Sequence, residues 1–225
     1  MFYRRYLPIL IISVILVAGS AISAASQTLN GIVKDIKGKP VADAVVYATY
    51  VSGQENEDNP PPQTTIDQID KEFVNYVTAV KVGTAVFFPN NDNIRHHVYS
   101  FSPSKTFEIP LYPQGAGPSS PIIFDKPGAV VLGCNIHDWM KAYVYVVATP
   151  YFAVTDKQGT INIANLPSGE YNVQVWHPRM KKAGKTSVQK VTIVTGATAT
   201  AEFTLKLKKV WRPMRASKLG GGVYR

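Results

Sequence analysis

The stretch Cys134-Asn135-Ile136-His137-Asp138-Trp139-Met140 puts a thiol, an imidazole and a thioether into seven residues, and Cys134 is the only cysteine in the chain. The adjacent pair His96-His97 lies well upstream. Two imidazoles and one thiolate in a trigonal plane, with a distant thioether on the axis, suit copper in both redox states. Spacing matters as much as composition here. One short loop can present cysteine, histidine and methionine to a single point, while the second histidine comes from a different strand. Neighbouring strand residues face opposite ways, so His96 and His97 do not both reach one ion. A single cysteine excludes an internal disulfide, a dinuclear centre bridged by two thiolates, and zinc sites built from four cysteines or from two cysteines and two histidines. Alone it would read as an inert core thiol; His137 and Met140 at these offsets turn the reading toward a metal. A metal that captures the thiolate also protects it in an oxidising compartment.

Such a loop needs a rigid support, and the rest of the chain supplies β-structure. The chain has 225 residues, enough for one large or two small domains. Residues 1–25 run from Arg4-Arg5 through the apolar stretch Leu7 to Val17 into small residues ending at Ala25, the order of a secretory signal peptide. The apolar stretch is shorter than the roughly 20 residues of a comfortable membrane span. The arginine pair leaves twin-arginine export open beside the general route. Without this leader the chain carries 22 basic against 15 acidic side chains, a net charge of +7. An exported, basic, periplasmic protein is expected.

Beyond the leader, β-branched and aromatic runs punctuated by Gly, Pro, Asn and Asp predict an all-β protein of antiparallel strands. Asn30 to Val33 and Val41 to Val51 read as strands joined by the turn Lys37-Gly38-Lys39-Pro40. Ser52 to Gln63, polar and proline-rich, reads as a linker. In the middle region Thr78, Val80 and Val82 form an apolar face, and Asn90 to Asn93 make a turn before His96. Ala129 to Leu132 is an apolar strand running into Gly133-Cys134, and Tyr143 to Val147 is the next strand. The Cys134–Met140 loop therefore joins two adjacent strands at one end of a sandwich, where side chains converge on a rigid scaffold. Phe87, Phe88, Tyr99 and Phe101 are expected in the core. From Lys206 to Arg225 the chain has seven basic residues and no acidic one, so 208–225 is expected as a loosely held basic tail.

The segment 64–148 resembles a cupredoxin, the blue-copper family that includes plastocyanin and amicyanin. The resemblance rests on Val80 to Asp92, on His96-His97-Val98, and on Cys134-x-x-His137-x-x-Met140, whose short spacing is nearest to amicyanin. It implies a Greek-key β-sandwich binding one type 1 copper through His96, Cys134, His137 and, weakly and axially, Met140. His97 then stands where relatives commonly carry an asparagine that braces the ligand loop, and His137 becomes the port for electrons. The flanks resemble a carboxypeptidase regulatory-like, prealbumin-type sandwich. Its opening is Gly31 to Val45, and its continuation is Thr155 to Ile163 and Leu166 to Val173. The resemblance implies one discontinuous domain, 27–52 and 150–207, with the cupredoxin inserted. Proteins labelled methylamine-utilisation-like combine these two modules, and the chain is similar to them.

The function implied is single-electron carriage between periplasmic redox partners such as a cytochrome or a dehydrogenase, by a monomer that is not an enzyme. The alternative is copper binding or delivery, or an interaction module, without redox traffic. The basic tail can attract an acidic partner or an anionic membrane surface. Nucleic acid is excluded as a partner for an exported β-protein with no aromatic–basic reading surface. Trp139 is expected to cap the copper loop, with a docking or electron-path role as the other reading. His177 is expected in a strand-end turn and not in a second metal site.

Overall fold

The computed structural model describes residues 27–51, 62–180 and 188–209. The expected leader, most of the expected linker and the tail beyond Lys209 lie outside these residues. Among the described residues every regular element is a strand, and the fold is all-β. The first strands are β1 (Thr28–Asp35), β2 (Val45–Tyr50), β3 (Gln63–Thr65), β4 (Gln68–Ile69), β5 (Glu72–Phe73) and β6 (Val77–Lys81). Next come β7 (Thr84–Phe87), β8 (His96–Ser102), β9 (Lys105–Tyr112), β10 (Ile122–Phe124), β11 (Gly128–Cys134) and β12 (Lys141–Val147). The last are β13 (Phe152–Val154), β14 (Thr160–Ala164), β15 (Gly169–Trp176), β16 (Gln189–Ile193) and β17 (Thr198–Leu205).

These strands enclose two separate apolar cores. The first lies between the sheets β14-β1-β17 and β13-β2-β15-β16 and is filled by Leu29, Val33, Val46, Ile163, Tyr171, Val173 and Phe203. The second lies between β10-β7-β3 and the five-stranded sheet β6-β12-β11-β8-β9. Its filling includes Val86, Phe88, Val98, Phe124, Leu132, Val144, Cys134 and Met140. The cores meet along an aromatic seam. Tyr145 stacks on Trp176 with ring centroids 4.4 Å apart, and its hydroxyl lies 3.3 Å from that of Tyr47.

Several expectations need correction. Not all pairs are antiparallel, because β1 pairs with β17, β3 with β7 and β6 with β12 in parallel. Val41 to Val51 is not one strand joined to the first in a hairpin. Pro40 pairs briefly with Lys34, and the chain then crosses to the other sheet before β2 begins at Val45, with Asp43 at positive φ. The crossing lets Val33 and Val46 face each other across one core. Gln63, assigned to the linker, already forms β3.

Three of the four aromatic rings expected in the core face away from it. Phe88 is buried, Tyr99 half-buried, and Phe87 and Phe101 are exposed, the latter by 76%. Parity explains Phe101. His96, Val98, Ser100 and Ser102 all point inward from β8, and a period of two then sends His97, Tyr99 and Phe101 to the outer face.

Candidate metal centre

The pairing Gly133↔Lys141 brings β11 and β12 together as antiparallel neighbours. Cys134 ends β11, and the loop to Lys141 spans the strand ends. Within it the Met140 amide donates to the His137 carbonyl at 2.9 Å, closing a tight turn. Register places His96 beside this loop, because β11 also pairs with β8 through Cys134↔Val98. Gly133 makes that contact possible. A Cβ there would come within 2.7 Å of the Tyr99 ring, which crosses over it from β8.

Three donor atoms converge. Cys134 Sγ is 3.7 Å from His96 Nδ1 and 3.6 Å from His137 Nδ1, and the two imidazole centroids are 5.2 Å apart. One donor atom from each residue lies within 4.8 Å of the others. Two donors about 2.3 and 2.05 Å from a shared ion, about 115° apart, stand about 3.7 Å from each other. The sulfur-to-nitrogen separations fit one metal ion. All three residues are buried, and His137 is the most exposed at 8%. Met140 is buried in the same core.

The ring of His96 is oriented from behind. Its Nε2 lies 3.0 Å from Asp92 Oδ2, which fixes the proton on Nε2 and leaves the Nδ1 lone pair facing Cys134. Asp92 is itself buried. Burial pushes its carboxyl upward, but hydrogen bonds from His96 and the amides of Lys71 and Asn93 outweigh this and hold it below the usual carboxylate range. Burial above all lowers His137 from its ordinary value, which favours its neutral imidazole. Asn90 holds the same segment. Its Nδ2 donates to the carbonyls of Ile94 at 2.8 Å and Tyr112 at 3.2 Å, and its Oδ1 accepts from the Asp92 amide at 3.0 Å. The turn expected over Asn90–Asn93 is thus half buried: Asn90 and Asp92 face inward and form a bracket, while Asn91 and Asn93 are exposed. Tyr112, opposite His96 on β9, donates to the Phe88 carbonyl at 3.0 Å. Burial pushes this phenol up to about 12, so it remains a donor throughout the physiological range.

His97 sits on the outer face, with Nε2 2.8 Å from Glu108 Oε1. It braces β8 against β9. The Trp139 ring lies 5.3 Å from that of His137 and is half-buried over it. His177 lies in the turn after β15, where its Nδ1 accepts the Arg179 amide at 3.1 Å. Among the described residues, His96, Cys134 and His137 form the one group of such side chains arranged to hold a metal. Asp92 was not singled out in the sequence. Its signal was a carboxylate four residues before His96, masked by an asparagine-rich run.

No family model matches the chain, and no curated protein matches it. Solved structures do. A Cu-containing nitrite reductase from Thermus scotoductus is 27% identical over 44% of this chain and 25% of its own, with a TM-score of 0.36. A purple cupredoxin from Nitrosopumilus maritimus is 22% identical over 38% of this chain and 99% of its own, at 0.32. A reduced amicyanin variant is 19% identical over 45% of this chain and 99% of its own, at 0.35. This chain thus spans a quarter of the nitrite reductase, and each match takes in less than half of this chain.

Proposed function

We propose that the chain is an exported copper protein that carries single electrons. His96, Cys134 and His137 would hold one type 1 copper ion, with Met140, buried in the same core, as a weak fourth donor. The observation that carries this reading is the convergence of two imidazole Nδ1 atoms and one thiol within 4.8 Å of one another, all buried. Copper bound there supplies a one-electron couple that needs little rearrangement of its surroundings.

The protein's own groups prepare the site. Cys134 supplies the thiolate, and its position at the end of a paired strand fixes the sulfur. Asp92 holds His96 in one tautomer, and burial favours the neutral form of His137. His137 is the donor nearest solvent and serves as the port through which electrons leave. Two imidazoles, a thiolate and a thioether would leave a bound copper no open position for a substrate, which favours a carrier over an enzyme. The flanking sandwich belongs to a carboxypeptidase regulatory-like unit into which the copper-binding segment is inserted. The basic tail steers the protein, a monomer in the periplasm, to an acidic redox partner such as a cytochrome or a dehydrogenase.

The test is to add copper(II) to the purified mature protein and record its visible absorption. An intense thiolate-to-copper band, bleached by ascorbate and restored by ferricyanide, is the expected result. Tight binding of copper(I) or zinc without that band would replace the carrier with a metal-handling protein. Failure to bind any metal would leave Cys134 as a core thiol and end the reading.

A further inference from the structure

We infer that the small hairpin β4–β5 is a clamp that positions His96 through Asp92, with the hairpin tip as its working part. The inference rests on the reading of His96 as a metal ligand. The hairpin is two residues long on each side, paired through Gln68↔Phe73 and Ile69↔Glu72, and is too short to be stable alone. It is fastened at both ends to the segment leading into His96. At its base Gln68, fully buried, bridges to Asn90 in parallel. The Gln68 side-chain Nε2 donates to the Pro89 carbonyl at 3.0 Å and to the Tyr112 hydroxyl. At its tip the Lys71 amide donates to Asp92 Oδ2 at 2.6 Å. That oxygen is the one bonded to His96 Nε2.

The tip reaches Asp92 only because of its turn. Asp70 and Lys71 both take positive φ, 52° and 60°, as a two-residue type I′ turn requires, and the favoured residues there are Asn and Gly. A β-branched residue at such a φ is an outlier. The tip amide is thus held in place by a backbone conformation that the side chain at position 71 either permits or opposes. Without the clamp, Asp92 loses one of its three donors and the ring of His96 loses its fixed partner.

Two substitutions separate this clamp from the charge of the lysine. Lys71→Gly and Lys71→Val both remove the ammonium, but only glycine accepts the turn. Asn75→Val serves as the control, since Asn75 also takes positive φ, 68°, at a turn outside the hairpin. The first readout is the His96 ring nitrogen pattern by NMR in the metal-free full-length protein. The second is copper(II) affinity. Asn75→Val is expected to keep the single Nε2–H tautomer and wild-type affinity, and Lys71→Gly to keep that tautomer. Lys71→Val is expected to mix the tautomers and weaken binding about tenfold, the low end of the range for partners of a ligating histidine. Equal losses in Lys71→Gly and Lys71→Val would assign the effect to charge and overturn the clamp. An unchanged tautomer in Lys71→Val would also overturn it. If the wild type binds no copper, the copper reading fails, while the metal-free tautomers still decide the clamp.

Discussion

Two sandwiches share this chain, and they are filled with different chemistry. The core around Leu29, Tyr171 and Phe203 is apolar throughout. The buried polar side chains beside it serve the backbone. Thr155 donates to the Val41 carbonyl and accepts from the Ala44 amide, and Thr149 donates to the Ala48 carbonyl. The core around Phe88, Phe124 and Leu132 is also built of apolar side chains, but one end holds Gln68, Asn90, Asp92, His96 and His137, all buried. Burying a polar group is costly unless it finds a partner. Most of these groups find theirs, joined into one bracket behind the Cys134 loop. The first sandwich is built to be stable. The second gives up apolar packing at one end to hold three donor atoms in a fixed relation.

The largest expected effect removes what distinguishes the second sandwich. Cys134→Ser keeps size and burial but cannot supply a thiolate, so the intense visible band is expected to vanish while the far-ultraviolet circular dichroism of the metal-free protein stays unchanged. A blue Cys134→Ser protein would refute the donor set. Met140→Leu is the matched contrast, expected to stay blue and to raise the reduction potential. In the proposed site a weak thioether donor would stabilise the more highly charged oxidised ion more than the reduced one, and leucine removes that donor.

Next in size are changes that ask whether the sandwiches are energetically separate. Phe203 and Phe88 are almost fully buried in the first and second cores, and truncating either to alanine should cost about 3–5 kcal/mol. The seam between the cores is made by ring contacts among the partly buried residues Tyr47, Tyr143, Tyr145 and Trp176, with one hydroxyl pair between Tyr47 and Tyr145. Such a ring pair adds only about 0.5–1.5 kcal/mol beyond its burial. We therefore expect two urea transitions in the copper-loaded protein. Phe203→Ala should shift only the transition that leaves the visible band intact, and Phe88→Ala only the one that bleaches it. A single transition moved equally by both would show that the seam couples the cores.

The donors were legible in the sequence because their chemistry is rare and their spacing short. Cysteine, histidine and methionine in one loop have few readings, and the apolar runs on either side of the loop fixed β11 and β12 nearly to the residue. Strand parity is legible too. Once His96 faces inward, Phe101 must face out. The clamp and bracket were not legible. A two-residue strand has no period, Gln68 looks like any surface glutamine, and Asp92 sits among asparagines that signal a turn. Their roles depend on contacts with Tyr112 and Pro89, distant in sequence, that no local pattern encodes. The crossing from β1 to β2 was hidden for a similar reason, because a turn motif gives the reversal but not the sheet that receives the next strand.

The smallest expected effect compares two carboxylates in similar roles. Asp156 in the first sandwich, like Asp92 in the second, gathers several donors. Its Oδ1 accepts the amides of Gln158 at 2.9 Å and Thr160 at 2.8 Å, and its Oδ2 accepts the Thr160 hydroxyl at 2.7 Å. The Thr160 hydroxyl, followed by these amides, holds its carboxyl below the ordinary value. Because folding lowers this pKa, the carboxylate favours the folded state above the ordinary carboxylate range, and that contribution is lost as pH falls through the folded value. Asp156→Ala should therefore lower the urea midpoint of the first sandwich at pH 7 and converge with wild type in acid. It should leave the visible band unchanged at every pH, because Asp156 shapes the turn before β14 and touches none of the donors. A midpoint gap that persisted in acid would assign the effect to the turn's shape and not to its charge. A changed band would mean that the first sandwich reaches the metal centre after all.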